Sequence, residues 1–152
     1  MHIRTATSAD VDPIGRIADA TELFPSEMLP DLIAGHLADE PSEDVWAVCK
    51  EDSEVVGFCY AVPEQLAEGA WNMLAIGVHP DRQGNGVGGA LIAQLHRTLR
   101  AKEARILVVD TSGLPAFERS RAFYAKQGYD EEARIRDFWV PGDDKVTFRR
   151  AF

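Results

Sequence analysis

The spacing of apolar positions changes from segment to segment along this chain, and that spacing assigns the elements. Ile3-Arg4-Thr5-Ala6 reads as a short first strand. Thr7 then caps a helix, with Asp10 three residues on as its capping-box partner, and Val11, Ile14, Ile17 and Ala18 fall on one helical face. A second helix follows Pro25-Ser26 and carries Met28, Leu29, Leu32, Ile33 and Leu37, with Thr21-Glu22-Leu23-Phe24 as the loop between. Two strand-type runs come next, Val45 to Cys49 and Val55 to Ala61, joined as a hairpin through Glu51-Asp52-Ser53-Glu54. Trp71 to Val78 is a further strand. Val87, Leu91, Leu95 and Thr98 then return to a helical stripe, with Ala90 and Gln94 beside it. Arg105 to Asp110 reads as a fifth strand. Pro115 opens a helix at its first turn, and Gly128 sits where that helix stops. Ala133 to Val140 and Lys145 to Phe152 form a closing hairpin around Pro141-Gly142-Asp143-Asp144. The order β-α-α-β-β-β-α-β-α-β-β predicts an α/β (α+β) fold, a mixed sheet flanked by helices.

A chain of 152 residues is expected to form one domain, residues 1–152, with a real core. No apolar run approaches a membrane span, and no signal-peptide pattern opens the chain, so a cytoplasmic protein is expected. Cys49 and Cys59 both fall in strand runs and outside any metal-type cluster, which predicts buried free thiols and no metal site. The net charge of −9 argues against nonspecific nucleic-acid binding, which needs a basic face, and is compatible with a cationic substrate. His79 precedes Pro80 on a turn and reads as a solvent-facing residue. Trp46, Trp71 and Trp139 read as core or pocket walls.

Candidate chemistry concentrates in Ile76-Gly77-Val78-His79-Pro80-Asp81-Arg82-Gln83-Gly84-Asn85-Gly86-Val87-Gly88-Gly89. A strand enters a Pro-containing turn, and a glycine-dense loop opens directly into a helix. Glycines let a phosphate approach the backbone, and the helix N-terminus adds unpaired N–H groups and a positive field. Gly84 to Gly89 also satisfies the dinucleotide fingerprint G-x-G-x-x-G, with Asp110 about twenty residues on. In that fold the first glycine ends the strand itself. Here His79 to Gln83 intervene, Pro80 breaks the ladder, and only an antiparallel hairpin remains late in the chain.

Gln83-Gly84-Asn85-Gly86-Val87-Gly88 instead resembles the Q/R-x-x-G-x-G/A acetyl-CoA loop of the GNAT N-acetyltransferases. Phe123-Tyr124-Ala125-Lys126-Gln127-Gly128-Tyr129 resembles that family's second signature, and the element order matches it from end to end. The resemblance implies a mostly antiparallel sheet of about seven strands with four flanking helices. It implies acetyl-CoA as co-substrate and a primary amine as acceptor, either a small molecule or a protein N-terminus. A homodimer is compatible with it; a nucleic-acid or membrane partner is not expected.

The resemblance also assigns roles. Gln83, Gly84, Asn85, Gly86, Val87, Gly88 and Gly89 hold the pyrophosphate, and the backbone of Ile76, Gly77 and Val78 pairs with the pantetheine arm. Gly77 is the expected site of the kink that splays this strand from the next, and its N–H an expected donor to the thioester oxygen. Tyr124 is the acid that protonates the departing thiolate. Asp110 and Glu22 are candidate bases, beside water. The family's pantetheine-binding Asn falls on Phe117, so Ser112, Thr111 or Ser120 is the expected replacement. The acceptor site is expected between the Thr21–Ser26 loop and the Trp139–Lys145 turn. A non-catalytic acyl-CoA-binding module is the competing function on the same fold.

Overall fold

The structure is a computed structural model describing residues 1–152. Strands β1 (His2–Thr5), β2 (Val45–Glu51), β3 (Glu54–Pro63), β4 (Ala70–Val78), β5 (Ile106–Ser112), β6 (Asp130–Val140) and β7 (Asp143–Ala151) form one sheet in the order β1-β2-β3-β4-β5-β7-β6. Helices are α1 (Val11–Ala20), α2 (Leu29–Leu37), α3 (Val87–Ala101) and α4 (Glu118–Lys126). All seven strands and four helices follow the order that the apolar spacing predicts. No helix is long and apolar enough to cross a membrane.

Each face of the sheet buries its own cluster, because side chains alternate along a strand. Ile14, Ile17, Leu29 and Ile33 from α1 and α2 cover Trp46, Val48, Phe58 and Tyr60. Val87, Leu91, Leu95 and Leu99 from α3 cover Ala47, Cys59, Met73 and Leu107 on the other face. Both cysteines are buried and free. The entry to α1 is fixed by Asp10, whose carboxylate accepts from the Thr7 N–H at 2.7 Å and from both Arg4 terminal nitrogens at 2.6 and 2.9 Å. Arg4 and the cap together hold Asp10 below the usual carboxylate range.

Gly77 sits where this packing is tightest. A Cβ there would lie 2.8 Å from Leu23 Cδ1, 3.0 Å from Phe58 Cε1 and 3.1 Å from Ile17 Cγ2. Gly77→Val is therefore expected to destabilise the fold by about 3 kcal/mol through overpacking, read as a lower urea midpoint at unchanged slope.

On the opposite face His96 is buried, with Nε2 2.7 Å from the Tyr129 hydroxyl. Burial first, then Arg150 and Arg100, pushes the imidazole down to about 4. The fold thus keeps His96 neutral while the unfolded chain takes up a proton near pH 6.5. Stability is complete above that value and falls as pH drops from 6.5 through 4, by roughly 2–3 kcal/mol for this group. His96→Gln, which keeps a polar partner for Tyr129 but does not titrate, is expected to flatten that part of the stability–pH curve.

The sheet has one parallel pair, β4 with β5, and it is short. Ala70, Trp71 and Asn72 pair with Ile106, Leu107 and Val108, and then the strands part. The cause is a bulge in β4. Tyr60 pairs with Ala75 and Ala61 with Met73, so Leu74 is the extra residue. Met73 and Ala75 consequently pack on opposite faces although they are two apart. The kink is at Leu74, not at Gly77, which pairs regularly with Phe58. Gly77 is glycine because α1 and its following loop come close, not because the strand bends there.

At the closing hairpin, β7 begins at Asp143 and only Pro141 and Gly142 form the turn, so Asp143 and Asp144 belong to the strand. Pairing jumps from Ile135–Lys145 to Val140–Asp143, leaving residues 136–139 as a bulge. The Asp137 carboxylate accepts from the Gly142 N–H at 2.7 Å, and Asp144 accepts from the Asp137 N–H at 3.1 Å. The bulge carries Trp139 back to the end of β5, where its indole N–H donates to the Thr111 carbonyl at 3.3 Å.

Candidate active site

The parting of β4 and β5 opens a cleft of about 940 Å³ through the sheet. On the α3/α4 side it is bounded by the glycine loop and by one stripe of α4. On the other side Leu23, from the loop after α1, meets Trp139 and Asp143.

The loop is built to leave amides free. Gln83 Nε2 donates to the Val78 carbonyl at 3.1 Å and ties the loop to the strand before it. Gly86 is the N-cap of α3 with φ +84°, a left-handed conformation that a side chain resists. It supplies no side-chain cap, and the first helical bond runs from the Ala90 N–H to the Gly86 carbonyl. The N–H groups of Val87, Gly88 and Gly89 are therefore available at the cleft. A Cβ on Gly84 or Gly86 would meet no protein atom within 4 Å, so the space in front of the loop is open. Gly88 is glycine for another reason: a Cβ there would stand 3.1 Å from Phe123 of α4. Open space, free amides and the residues Arg119 and Lys126 at the cleft suit a pyrophosphate-bearing ligand, while the Arg82 guanidinium pairs with Glu51 at 3.8 Å and Glu54 at 3.6 Å.

Along β4 the ladder bond from the His79 N–H to the Val56 carbonyl sets the alternation. Gly77 turns its own N–H and carbonyl toward β3. Ile76 and Val78 turn theirs toward the cleft, and both line it while Gly77 does not. The free donors of this strand thus belong to its neighbours and not to Gly77. His79 is a turn residue, its Nδ1 accepting from the Asp81 N–H at 3.1 Å.

Tyr124 projects from α4 into the cleft and is 7% exposed. Phe123, Tyr129 and Phe148 surround its ring, and its hydroxyl has no hydrogen-bond partner in the protein. Burial pushes the phenol up to about 12, so it stays protonated throughout the neutral range.

Asp110, at the end of β5, also lines the cleft. Its Oδ1 accepts from the Thr147 hydroxyl at 2.6 Å and its Oδ2 is unbonded. Ser112 is buried and engaged twice: its hydroxyl donates to Asp143 Oδ1 and accepts from the Leu114 N–H at 3.0 Å. Thr111 and Ser120 line the cleft as well, and Phe117 presents an apolar edge there.

The cleft thus gathers Ile76, Val78, Gln83, Gly84, Gly86, Val87, Gly88, Gly89, Asp110, Ser112 and Tyr124. Asn85 and Glu22 lie outside its lining. The Asn85 amide donates back to the Arg82 carbonyl at 3.5 Å. Glu22 is exposed at φ +55°, in the turn that ends α1, where the Leu23 N–H reaches the Ala18 carbonyl at 3.0 Å. Leu23 enters the cleft in its place. Sequence reasoning did not single out Leu74, Arg119 or Lys126 as site residues. The α4 pair is legible from helical spacing, since Arg119, Phe123 and Lys126 fall at i, i+4 and i+7 on one stripe beside Tyr124.

A GNAT acetyltransferase domain model matches residues 41–131, a span that holds the bulged strand, the loop and α4. The chain belongs to the GNAT acetyltransferase family, and acetyl-CoA-dependent acetyl transfer is the chemistry that this membership carries. It is 29% identical over 150 positions to mycothiol acetyltransferase of Catenulispora acidiphila, a match covering 91% of this chain and 45% of that protein. The chain therefore spans about half the length of that relative. A solved GNAT-family protein from Desulfovibrio desulfuricans superposes with a TM-score of 0.92 at 27% identity, covering 99% of this chain and 98% of the other. Ribosomal-protein-alanine N-acetyltransferase from Brucella melitensis superposes at 0.83 with 21% identity over 100% of both chains, a likeness of fold. So does aminoglycoside 6′-N-acetyltransferase from Enterococcus faecium, at 0.81 and 15% over 99% and 97%.

Proposed function

We propose that this chain moves the acetyl group of acetyl-CoA to a primary amine by direct attack, with no acyl-enzyme in between. The observation that carries the reading is the cleft itself. One opening joins the free loop amides, the backbone of Ile76 and the N–H of Val78, and the unbonded Tyr124 hydroxyl.

The amides of Val87, Gly88 and Gly89 hold the pyrophosphate, with Arg119 and Lys126 as nearby positive charge. Ile76 and Val78 pair with the pantetheine arm, as an added strand would. Leu74 and Phe117 supply apolar wall. The amine approaches from the Leu23 and Trp139 side. An alkylamine is mostly an ammonium at neutral pH and must first lose a proton, and Asp110 Oδ2 accepts it directly or through water. Glu22, turned away from the cleft, would act only through a chain of water. The nitrogen lone pair then forms the C–N bond as the C–S bond breaks. A second proton leaves nitrogen, and one proton ends on sulfur, with Tyr124 as its last donor. The second nitrogen proton restores the Tyr124 phenol and the first leaves Asp110 to solvent, so alkylammonium plus thioester gives amide, thiol and one proton.

No cysteine competes as a nucleophile. Cys59 is buried, and burial pushes its thiol up to about 12, which disfavours the reactive thiolate. Release of free CoA thiol, followed during turnover with a panel of primary amines, tests the reading. Stoichiometric thiol release and acetylated amine are expected. Acetyl-CoA binding without release from any amine, small or peptide, would instead mark the chain as a binding module.

A further inference from the structure

Asn72 and Asn85 are the asparagines of this chain, and the fold treats them differently. Asn72 is a β4 residue, paired with Val62 on one side and Val108 on the other, and its amide donates to Glu64 Oε1 at 3.1 Å. Met73 follows it. Asn85 is exposed in the glycine loop, between Gly84 and Gly86 and outside every helix and strand. Its amide reaches only the Arg82 carbonyl, at 3.5 Å, the outer limit of a hydrogen bond.

Asparagine is thermolabile because the backbone nitrogen of the next residue can attack its side-chain carbonyl carbon. At Asn85 the surroundings favour that attack in three ways. Gly86 has no side chain to obstruct ring closure, and a Cβ at Gly84 or Gly86 would meet no protein atom within 4 Å. The Gly86 N–H donates to no protein acceptor, so no hydrogen bond must break before its nitrogen moves. Gly86 is also the N-cap of α3, where the helix field stabilises the negative charge that develops on attack.

We propose that Asn85 is a site of spontaneous deamidation and that bound acetyl-CoA protects it. The Gly86 nitrogen bonds to Asn85 Cγ and gives up its proton, the Cγ–Nδ2 bond breaks, and ammonia leaves with that proton. Water then opens the cyclic imide at either carbonyl. Asparagine plus water thus gives aspartate or isoaspartate plus ammonia, with no change of oxidation state. Both products place a carboxylate in the pyrophosphate loop, and like charges repel. Isoaspartate also lengthens the main chain by one carbon just ahead of the Val87 and Gly88 amides, which displaces those donors. A pyrophosphate on the loop fills the open space through which the Gly86 nitrogen must swing. The unliganded chain therefore loses its cofactor site with time, and the liganded chain keeps it. The protection and the loss of affinity rest on the acetyl-CoA reading of the loop; the deamidation does not.

The test is incubation of the wild-type chain at neutral pH with and without CoA, followed by tryptic mass spectrometry and by calorimetric titration with acetyl-CoA. Trypsin leaves Asn85 in residues 83–97 and Asn72 in residues 51–82, so the two are read separately. The acid form of Asn85 is expected to accumulate at least about tenfold faster than that of Asn72. Saturating CoA is expected to slow it by about fivefold or more, since only the free loop reacts. The converted protein is expected to bind acetyl-CoA at least about tenfold more weakly. Asn85→Gln, which would have to close a larger ring, is expected to keep its own starting affinity through the same incubation. In a chain that binds acetyl-CoA when fresh, three results would overturn the proposal: conversion no faster than at Asn72, conversion indifferent to CoA, or converted protein of unchanged affinity. An equal decline of affinity in Asn85→Gln would overturn it as well. Fast conversion of Asn85 in a chain that binds no acetyl-CoA even when fresh would sustain the deamidation and defeat the cofactor reading instead.

Discussion

Tyr124→Phe is expected to lower kcat by about 100- to 1,000-fold while acetyl-CoA affinity and stability hardly change. Tyr124 has two plausible duties, core aromatic and proton donor, and this substitution separates them. The ring stays, so packing against Phe123, Tyr129 and Phe148 stays. The deleted hydroxyl has no protein partner, so no hydrogen bond is lost on folding, and stability should hold or rise slightly. What disappears is a fixed donor at the departing sulfur, where a group acting only in the transition state shows in kcat rather than KM. With its phenol pushed up to about 12, Tyr124 also predicts no loss of the acid form below about pH 10. A rate that rises toward alkaline pH would then report deprotonation of the amine. A variant with wild-type kcat would leave Tyr124 as a core residue only.

Gly86→Val is expected to weaken acetyl-CoA binding by about 100-fold, the worth of two charge-assisted amide bonds at the loop. The protein offers no clash with the new side chain, since a Cβ at Gly86 meets nothing within 4 Å. Two other effects act. A β-branched residue resists φ +84°, which costs about 1–2 kcal/mol or rotates the amides of Val87 and Gly88 away from the cleft. The side chain also occupies the space in which the phosphates must stand. Calorimetric titration beside a urea melt distinguishes these from simple unfolding: affinity should fall far more than stability. Equal loss in both would make Gly86 a folding glycine.

Local chemistry made much of this legible in the sequence. The loop announces itself through four glycines from Gly84 to Gly89 where the chain turns into a helix, and Tyr124 through a helix that ends at Gly128. Features set by long-range packing were not legible. Every residue from Met73 to Val78 suits a strand, so nothing local reveals that Leu74 is the extra one. Gly77, the only glycine in that run, attracts the kink by its composition, yet it is glycine because Ile17, Leu23 and Phe58 converge on it. The hairpin tip is similar. Pro141 to Asp144 reads as a turn, and only the mutual capping of Asp137, Gly142 and Asp144 shows that Asp143 is a strand residue facing the cleft. Glu22 drew attention as a carboxylate in a loop, but its backbone bonds make it the end of α1.

The most direct test of the account is a calorimetric titration of the wild-type chain with acetyl-CoA, with NAD as comparator. One acetyl-CoA per chain, displaced by CoA and absent for NAD, is the expected result. NAD binding at the same stoichiometry, or no binding of acetyl-CoA at all, would contradict the assignment of the glycine loop and cleft.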